Sequence, residues 1–372
     1  MSRSDAAPHQ GRMACVQQGL RERGFAAAVF GLTSNLRYLT GFVDEPGERA
    51  LLLILPSRGE ATMVVPKLYA DEVQLHRPAA SIHVWQDGDD PMEIVREVAE
   101  GLTSLEGGVL LDDTLWASFV LPIQRAFDGR SFESASKVVG AVRIRKAPEE
   151  IAAMKRAGEI ADRALEEALE DPIVGATESE LARRLESAML DGGAGGIGFE
   201  TLVASGPNGA LPHYRAGSRR IEPGDVVILD YGCRVDGYCS DMTRSVVCGE
   251  PTETVMRAYD TVQKAYWAAR EAVTPGVEAE KIDAAARAVF ETAGIGRNFL
   301  HRTGHGIGLD VHEPPYIVQG NQELLQTGMA FSIEPGAYFA GEFGIRLEDV
   351  VIVGEGGAVP MTEAPRNLRR VK

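Results

Sequence analysis

Three apolar runs in the C-terminal half of this 372-residue chain end on a carboxylate where a core residue would be expected. Val226-Val-Ile-Leu leads to Asp230, Met329-Ala-Phe-Ser-Ile leads to Glu334, and Gly344-Ile-Arg-Leu leads to Glu348, with Asp349 behind it. Between the first and second, Asp236-Gly237 is a strong two-residue hairpin signal, and the return strand it predicts carries Asp241. With that loop Asp230 lies opposite Thr243. Because side chains alternate with period two, Asp241 is then the diagonal neighbour of Asp230 on the same face. By the same alternation Arg346 and Glu348 share a face and Asp349 points the other way. Two aspartates so placed repel each other unless they are solvated or share a cation. Desolvating a carboxylate costs several kcal/mol even after relaxation, and the recurrence of the pattern on three strands tips the balance toward a shared cation.

Histidine is unevenly distributed in the same direction. Of seven histidines, His301, His305 and His312 fall within twelve residues, and His305 sits in Gly304-His-Gly-Ile-Gly308, where glycines would let a bound group approach the backbone. His301 and His305 have the i,i+4 spacing of a helical zinc pair. Arg302, however, stands where the glutamate of HExxH is required, and the glycines oppose a helix. Taken singly, each of these histidines reads as structural before catalytic.

Together, Leu229-Asp-Tyr-Gly, Ser240-Asp-Met-Thr-Arg, Gly304-His-Gly-Ile-Gly, Ile333-Glu-Pro-Gly and Arg346-Leu-Glu-Asp resemble, in order and spacing, the motifs of the pita-bread metallopeptidases over residues 146–372. Upstream, Ser34-Asn-Leu-Arg-Tyr-Leu-Thr-Gly41 looks like the amino-terminal domain of the proline-specific and creatinase branches, a domain that methionine aminopeptidases usually lack. The resemblance implies two divalent ions held by Asp230, Asp241, His305, Glu334 and Glu348, with Asp241 and Glu348 bridging, Asp230 completing one site, and His305 with Glu334 completing the other. Such an oxygen-rich donor set suits Mn²⁺, with Co²⁺ and Zn²⁺ as alternatives. The implied reaction is hydrolysis of Xaa-Pro bonds, in dipeptides or at peptide N-termini, by attack of a metal-bridging hydroxide, with Glu334 shuttling the proton. His213 and His312 match the two active-site histidines outside the metal shell. Arg346 matches an arginine of the proline-specific branch, and pairing with a ligand carboxylate is its plainer role. Tyr231 and Thr243 are expected to support the ligands. Cys233 and Cys239 match no family ligand and read as packing residues. Alternatives are a same-fold hydrolase or lyase acting on a small non-peptide substrate, and a non-catalytic peptide-binding module, although modules of that kind typically lose ligands that this chain retains.

Around these residues the chain divides in two. Runs at 26–30, 51–55, 61–65, 81–85 and 108–111 read as strands, several apolar throughout, and 92–102 and 116–127 carry helical spacing, which makes residues 1–145 an α/β domain. Pro148 suits the first turn of a helix that opens a second domain of mixed α/β (α+β) character, 146–372. A further helix is expected over 179–190. Gly193-Ala-Gly-Gly-Ile-Gly198 is formally GxGxxG, yet it follows a helix and precedes an extended segment, so it reads as a flexible loop and not as a dinucleotide site.

Composition sets the outer bounds. With 38 Lys and Arg against 54 Asp and Glu, the formal charge of −16 and the lack of any basic run argue against nucleic acid. The longest apolar stretch, 50–56, is far short of a membrane span, and the polar N-terminus lacks the apolar core of a secretory signal. Four cysteines without a CxxC pair fit a reduced, cytoplasmic protein. The resemblance adds short proline-containing peptides as substrates and a homodimer as the assembly.

Overall fold

The computed structural model describes residues 6–372, and their side chains from His9 onward. The chain separates into two compact units, the first ending at Arg143 and the second beginning at Ile144.

The first unit is built on a six-stranded mixed sheet, ordered Ala80–Trp85, Ala61–Pro66, Leu52–Pro56, Phe25–Phe30, Gly108–Leu111, Phe132–Ser134. The inner strands are buried along nearly their whole length, as their unbroken apolar sequences require, whereas Ala80–Trp85 is a partly exposed edge. Helices Pro91–Gly101 and Ala117–Ala126 pack Met92, Val95, Ala99 and Ile123 onto Val29, Ile54, Val64 and Val109. The Ser34–Gly41 phrase forms a short helix, Ser34–Thr40. Thr33 caps its start by accepting from the Asn35 amide, and Gly41 ends it in the left-handed region at φ 77°. The short strand Phe132–Ser134 and the helix Ala6–Arg23 were not among the expected elements.

In the second unit a nine-stranded sheet runs Glu313–Ile317, Gly304–Gly306, Ala330–Ile333, Glu348–Gly354, Met242–Cys248, Val226–Tyr231, Leu202–Ser205. Gly357–Pro360 is added beside Glu348–Gly354, and Arg369–Val371 beside Met242–Cys248. Helices Pro148–Ala168 and Glu178–Asp191 pack on Val227, Leu229, Tyr231, Met242 and Val246. Helices Glu253–Glu271 and Ala279–Thr292 pack on Phe331, Ile333, Val351 and Val353. The run from Gly344 into Val353 is two strands and not one: Phe343–Arg346 pairs with Gly336–Phe339, and Glu348–Gly354 joins the large sheet. The glycine-rich segment also differs from expectation. Gly196–Ile197 is a short strand paired with Cys233 and Arg234, so backbone hydrogen bonds fix what composition alone marked as a loop. Among the described residues no helix is long and apolar enough to cross a membrane.

Candidate metal centre

The hairpin that carries the first two aspartates keeps one register throughout. Val235 pairs with Tyr238 across Asp236-Gly237, both in the left-handed region, and the same alignment continues to Tyr231–Met242, Asp230–Thr243 and Val226–Val247. Thr243 is also the partner of Glu348 on the opposite side, and Leu202 of Asp230. One cross-strand row therefore reads Leu202, Asp230, Thr243, Glu348. Ile333 pairs with Asp349, so Glu334, one residue beyond its strand, comes level with Glu348.

His305 enters from the next strand, with its amide 3.1 Å from the Ser332 hydroxyl, which in turn donates to Glu334 Oε1 at 3.2 Å. His305 Nε2 lies 3.4 Å from Glu334 Oε1 and 3.7 Å from Asp241 Oδ2, while Nδ1 is 3.1 Å from the Gly306 carbonyl. Because a carbonyl only accepts, the proton sits on Nδ1 and the Nε2 lone pair faces the carboxylates. Donor atoms of Asp241, His305 and Glu348 all lie within 4.8 Å of one another, and all three residues are buried. The glycines around His305 have a different role from the one expected. A Cβ on Gly304 would stand 1.8 Å from the Ser332 carbonyl oxygen, so this glycine lets two backbones meet and does not admit a bound group.

The eight residues expected to bind metal or act on substrate line one cavity of about 650 Å³: Asp230, Asp241, His305, Glu334, Glu348, His213, His312 and Arg346. His312 packs edge-on against His305, ring centroids 4.1 Å apart. Arg346 pairs with Asp230 Oδ2, which is the plainer role, and also donates to Thr243 Oγ1 at 3.1 Å, Tyr338 Oη at 3.0 Å and the Pro212 carbonyl at 3.3 Å. Thr243 donates to Glu348 Oε2 at 2.6 Å. Tyr231 departs from expectation. Alternation turns its ring to the other face of the strand, where its hydroxyl donates to the Ala161 carbonyl inside the helix-packed core, and it supports no ligand. Cys233 and Cys239 are buried with their thiols against the Ala157 and Leu309 carbonyls, as packing residues would be.

Tyr338 and the placement of His301 were not expected. Gly336 makes room for the Tyr338 phenol, since a Cβ there would lie 2.6 Å from its oxygen. His301 Nδ1 faces the Arg302 carbonyl at 2.8 Å, so Nε2 accepts from Tyr338 at 2.8 Å, and the phenol oxygen is left to receive Arg346. The only sequence signal was that Tyr338 falls on the same face of its strand as the glycine two residues earlier.

The electrostatics are those of a charge cluster in need of cations. Burial, reinforced by the neighbouring carboxylates, raises Asp241 and Glu348 well above the usual range. Burial pushes Glu334 up to about 7, although Arg346 pulls it back. Burial also lowers His305 to about 3, with His312 adding to the effect, which keeps its imidazole neutral. Asp230 Oδ1 is buried without a hydrogen-bond partner. An orphaned carboxylate oxygen, a neutral imidazole with its lone pair turned inward and three further inward-facing carboxylates form a donor set that fits hard divalent ions.

Comparison with known proteins gives a consistent picture. Residues 152–355 match Metallopeptidase family M24, and residues 12–145 match the Creatinase/Prolidase N-terminal domain. A prolidase from Thermococcus sibiricus is 40% identical in sequence and superposes with a TM-score of 0.93, covering 98% of this chain and 99% of that one. The dipeptidase PepE of Mycobacterium ulcerans is 38% identical with a TM-score of 0.91 over the full length of both chains, 100% of each. An Xaa-Pro dipeptidase from Lactobacillus delbrueckii subsp. lactis is 31% identical over 95% of this chain and 97% of its own.

Proposed function

Because the chain belongs to metallopeptidase family M24 and shares the peptidase function of its prolidase and Xaa-Pro dipeptidase relatives, we propose that it hydrolyses Xaa-Pro dipeptides with two divalent ions. The observation that carries this reading is the buried carboxylate row with its unpartnered Asp230 oxygen. Asp230, Asp241, His305, Glu334 and Glu348 would hold the ions. When bound, the ions, Mn²⁺ in the first place, would supply a hydroxide nucleophile near neutral pH and polarise the scissile carbonyl.

The chain's own groups account for the remainder. A Glu334 oxygen would take the proton released at the nucleophile and deliver it to the departing nitrogen. His213 and His312, which line the same cavity, would donate to the substrate carbonyl and to the oxygen on which charge develops. Arg346 would hold Asp230 and Thr243 in register beneath the substrate. Four free cysteines suit a cytoplasmic protein, and the relatives' proline specificity suits short peptides; a homodimer belongs to the same reading.

The deciding experiment is a Mn²⁺-supplemented assay of an Xaa-Pro dipeptide, an Xaa-Pro tripeptide and a peptide without proline. Cleavage confined to the dipeptide is expected. Cleavage of the tripeptide would make it an aminopeptidase, and turnover of none would overturn the substrate class.

A further inference from the structure

Outside the carboxylate row the second unit buries two further carboxylates completely, Asp349, which is paired with Arg244 and Arg366, and Glu178, which meets no cation. Glu178 opens the helix Glu178–Asp191, yet its side chain is 0% exposed and turns inward. Its Oε1 accepts from the Ser205 amide at 2.8 Å, the Ser205 hydroxyl at 2.7 Å and Asn208 Nδ2 at 3.0 Å. Its Oε2 accepts from the Tyr214 hydroxyl at 2.8 Å and the Gly217 amide at 3.2 Å. Five donors thus converge on one side chain from the beginning, middle and end of a single segment, 205–217. The stitching is strengthened by the Ser179 hydroxyl, 2.9 Å from the carbonyls of Ala216 and Gly217, and by Asn208 Nδ2, which also donates to the Tyr214 oxygen at 2.9 Å.

That segment carries His213 into the cavity. Its two chain neighbours are each tethered: the Pro212 carbonyl accepts from Arg346, and the Tyr214 phenol donates to Glu178. The segment has little regular structure of its own beyond the short turn Gly206–Ala210, so the location of the imidazole depends on these anchors. We propose that Glu178 is the positioning residue for His213, a buried acceptor that gathers the 205–217 segment so that the imidazole is aimed at the substrate. The proposal rests on the role of His213 given above. A buried carboxylate suits the task because it offers about four lone-pair directions and no proton, and so can organise several donors at once.

Glu178→Gln in the full metal-loaded protein tests it, since the amide keeps the volume but presents N–H to one set of donors. Four quantities are read: amide exchange of peptides covering 206–217, bound metal, kcat and KM for an Xaa-Pro dipeptide, and the same kinetics in a His213→Ala background. Exchange over 206–217 should rise about tenfold while 226–248 stays protected. The kcat should fall about tenfold with KM and metal content near wild type, and the substitution should add nothing once His213 is gone. Unchanged exchange, loss of metal, or an equal kcat loss in both backgrounds overturns the proposal. If the wild-type protein cleaves no proline peptide, the substrate reading fails by itself, and the exchange measurement still decides whether Glu178 orders the segment. Should Glu178→Gln not accumulate folded, Asn208→Ala, which removes one of the five donors, carries the same comparisons with a smaller expected change.

Discussion

Thr243 and Glu348 are paired neighbours on adjacent antiparallel strands, and the Thr243 hydroxyl donates to Glu348 Oε2 at 2.6 Å while accepting from Arg346 at 3.1 Å. A single hydroxyl thereby aligns the carboxylate and the guanidinium of the site. Thr243→Val keeps the shape and removes both bonds. Calorimetric titration with Mn²⁺ should show affinity about 10–100-fold weaker, the usual effect of losing a ligand's hydrogen-bond partner. Unchanged affinity would mean that strand packing alone orients Glu348.

Asp241→Ala removes one of the carboxylates that would hold the proposed ions. Elemental analysis should find neither ion retained, and turnover of an Xaa-Pro dipeptide should be lost. Full activity in the metal-free variant would refute the metal-dependent mechanism.

Glu334 gives the metal-free protein a distinct pH response. Burial raises its carboxyl from 4.5 to about 7, with Asp241 and Glu348 shifted in the same direction. A raised acid contributes stability at low pH that is lost as the pH climbs through the folded value. After chelation the melting temperature should therefore be lower at pH 8 than at pH 6, and adding Mn²⁺ should raise it more at pH 8. Equal increments at both pH values would contradict the charge-cluster description.

His301 acts with the opposite sign. Burial, with Arg346 nearby, lowers it from 6.5 to about 4, so the imidazole is neutral when folded. The unfolded chain takes up its proton first, and stability is lost as pH falls from 6.5 toward 4. Comparing denaturant unfolding of the metal-free wild type with His301→Asn, the wild type should lose about 2 kcal/mol more between pH 7 and pH 5. A parallel pH dependence in both proteins would place the neutral imidazole elsewhere.

What could be read from the sequence follows from the range of the forces involved. Asp230 facing Thr243, and Asp349 turned away to Arg244 and Arg366, follow from alternation along a strand and a local Asp-Gly turn. Tyr231 is adjacent to Asp230 in sequence, but the same alternation sends it into the core, away from the carboxylates. Tyr338, His301 and Glu178 were not legible as a network. Apart from the adjacent Arg302 carbonyl at His301, the partners described above lie at least 8 residues away, from Tyr338–Arg346 to Glu178–Gly217 at 39, and only the fold brings them within hydrogen-bond reach. In the first unit, Phe132–Ser134 is too short and too polar to show a strand pattern, and pairing with Gly108–Leu111 makes it one.

The unbroken register from Val226–Val247 to the Asp236-Gly237 turn also determines where this hairpin can change length. Residues added between Asp236 and Gly237 would be taken up in a longer loop, since hairpin loops of several lengths join paired strands, and both aspartates would keep facing the same way. A single residue inserted within either strand would instead have to bulge out of the ladder or slip its register and turn one aspartate away. Engineered extensions, such as a grafted loop or a reporter tag, should therefore go into the turn and not into the strands if they are to leave the centre intact.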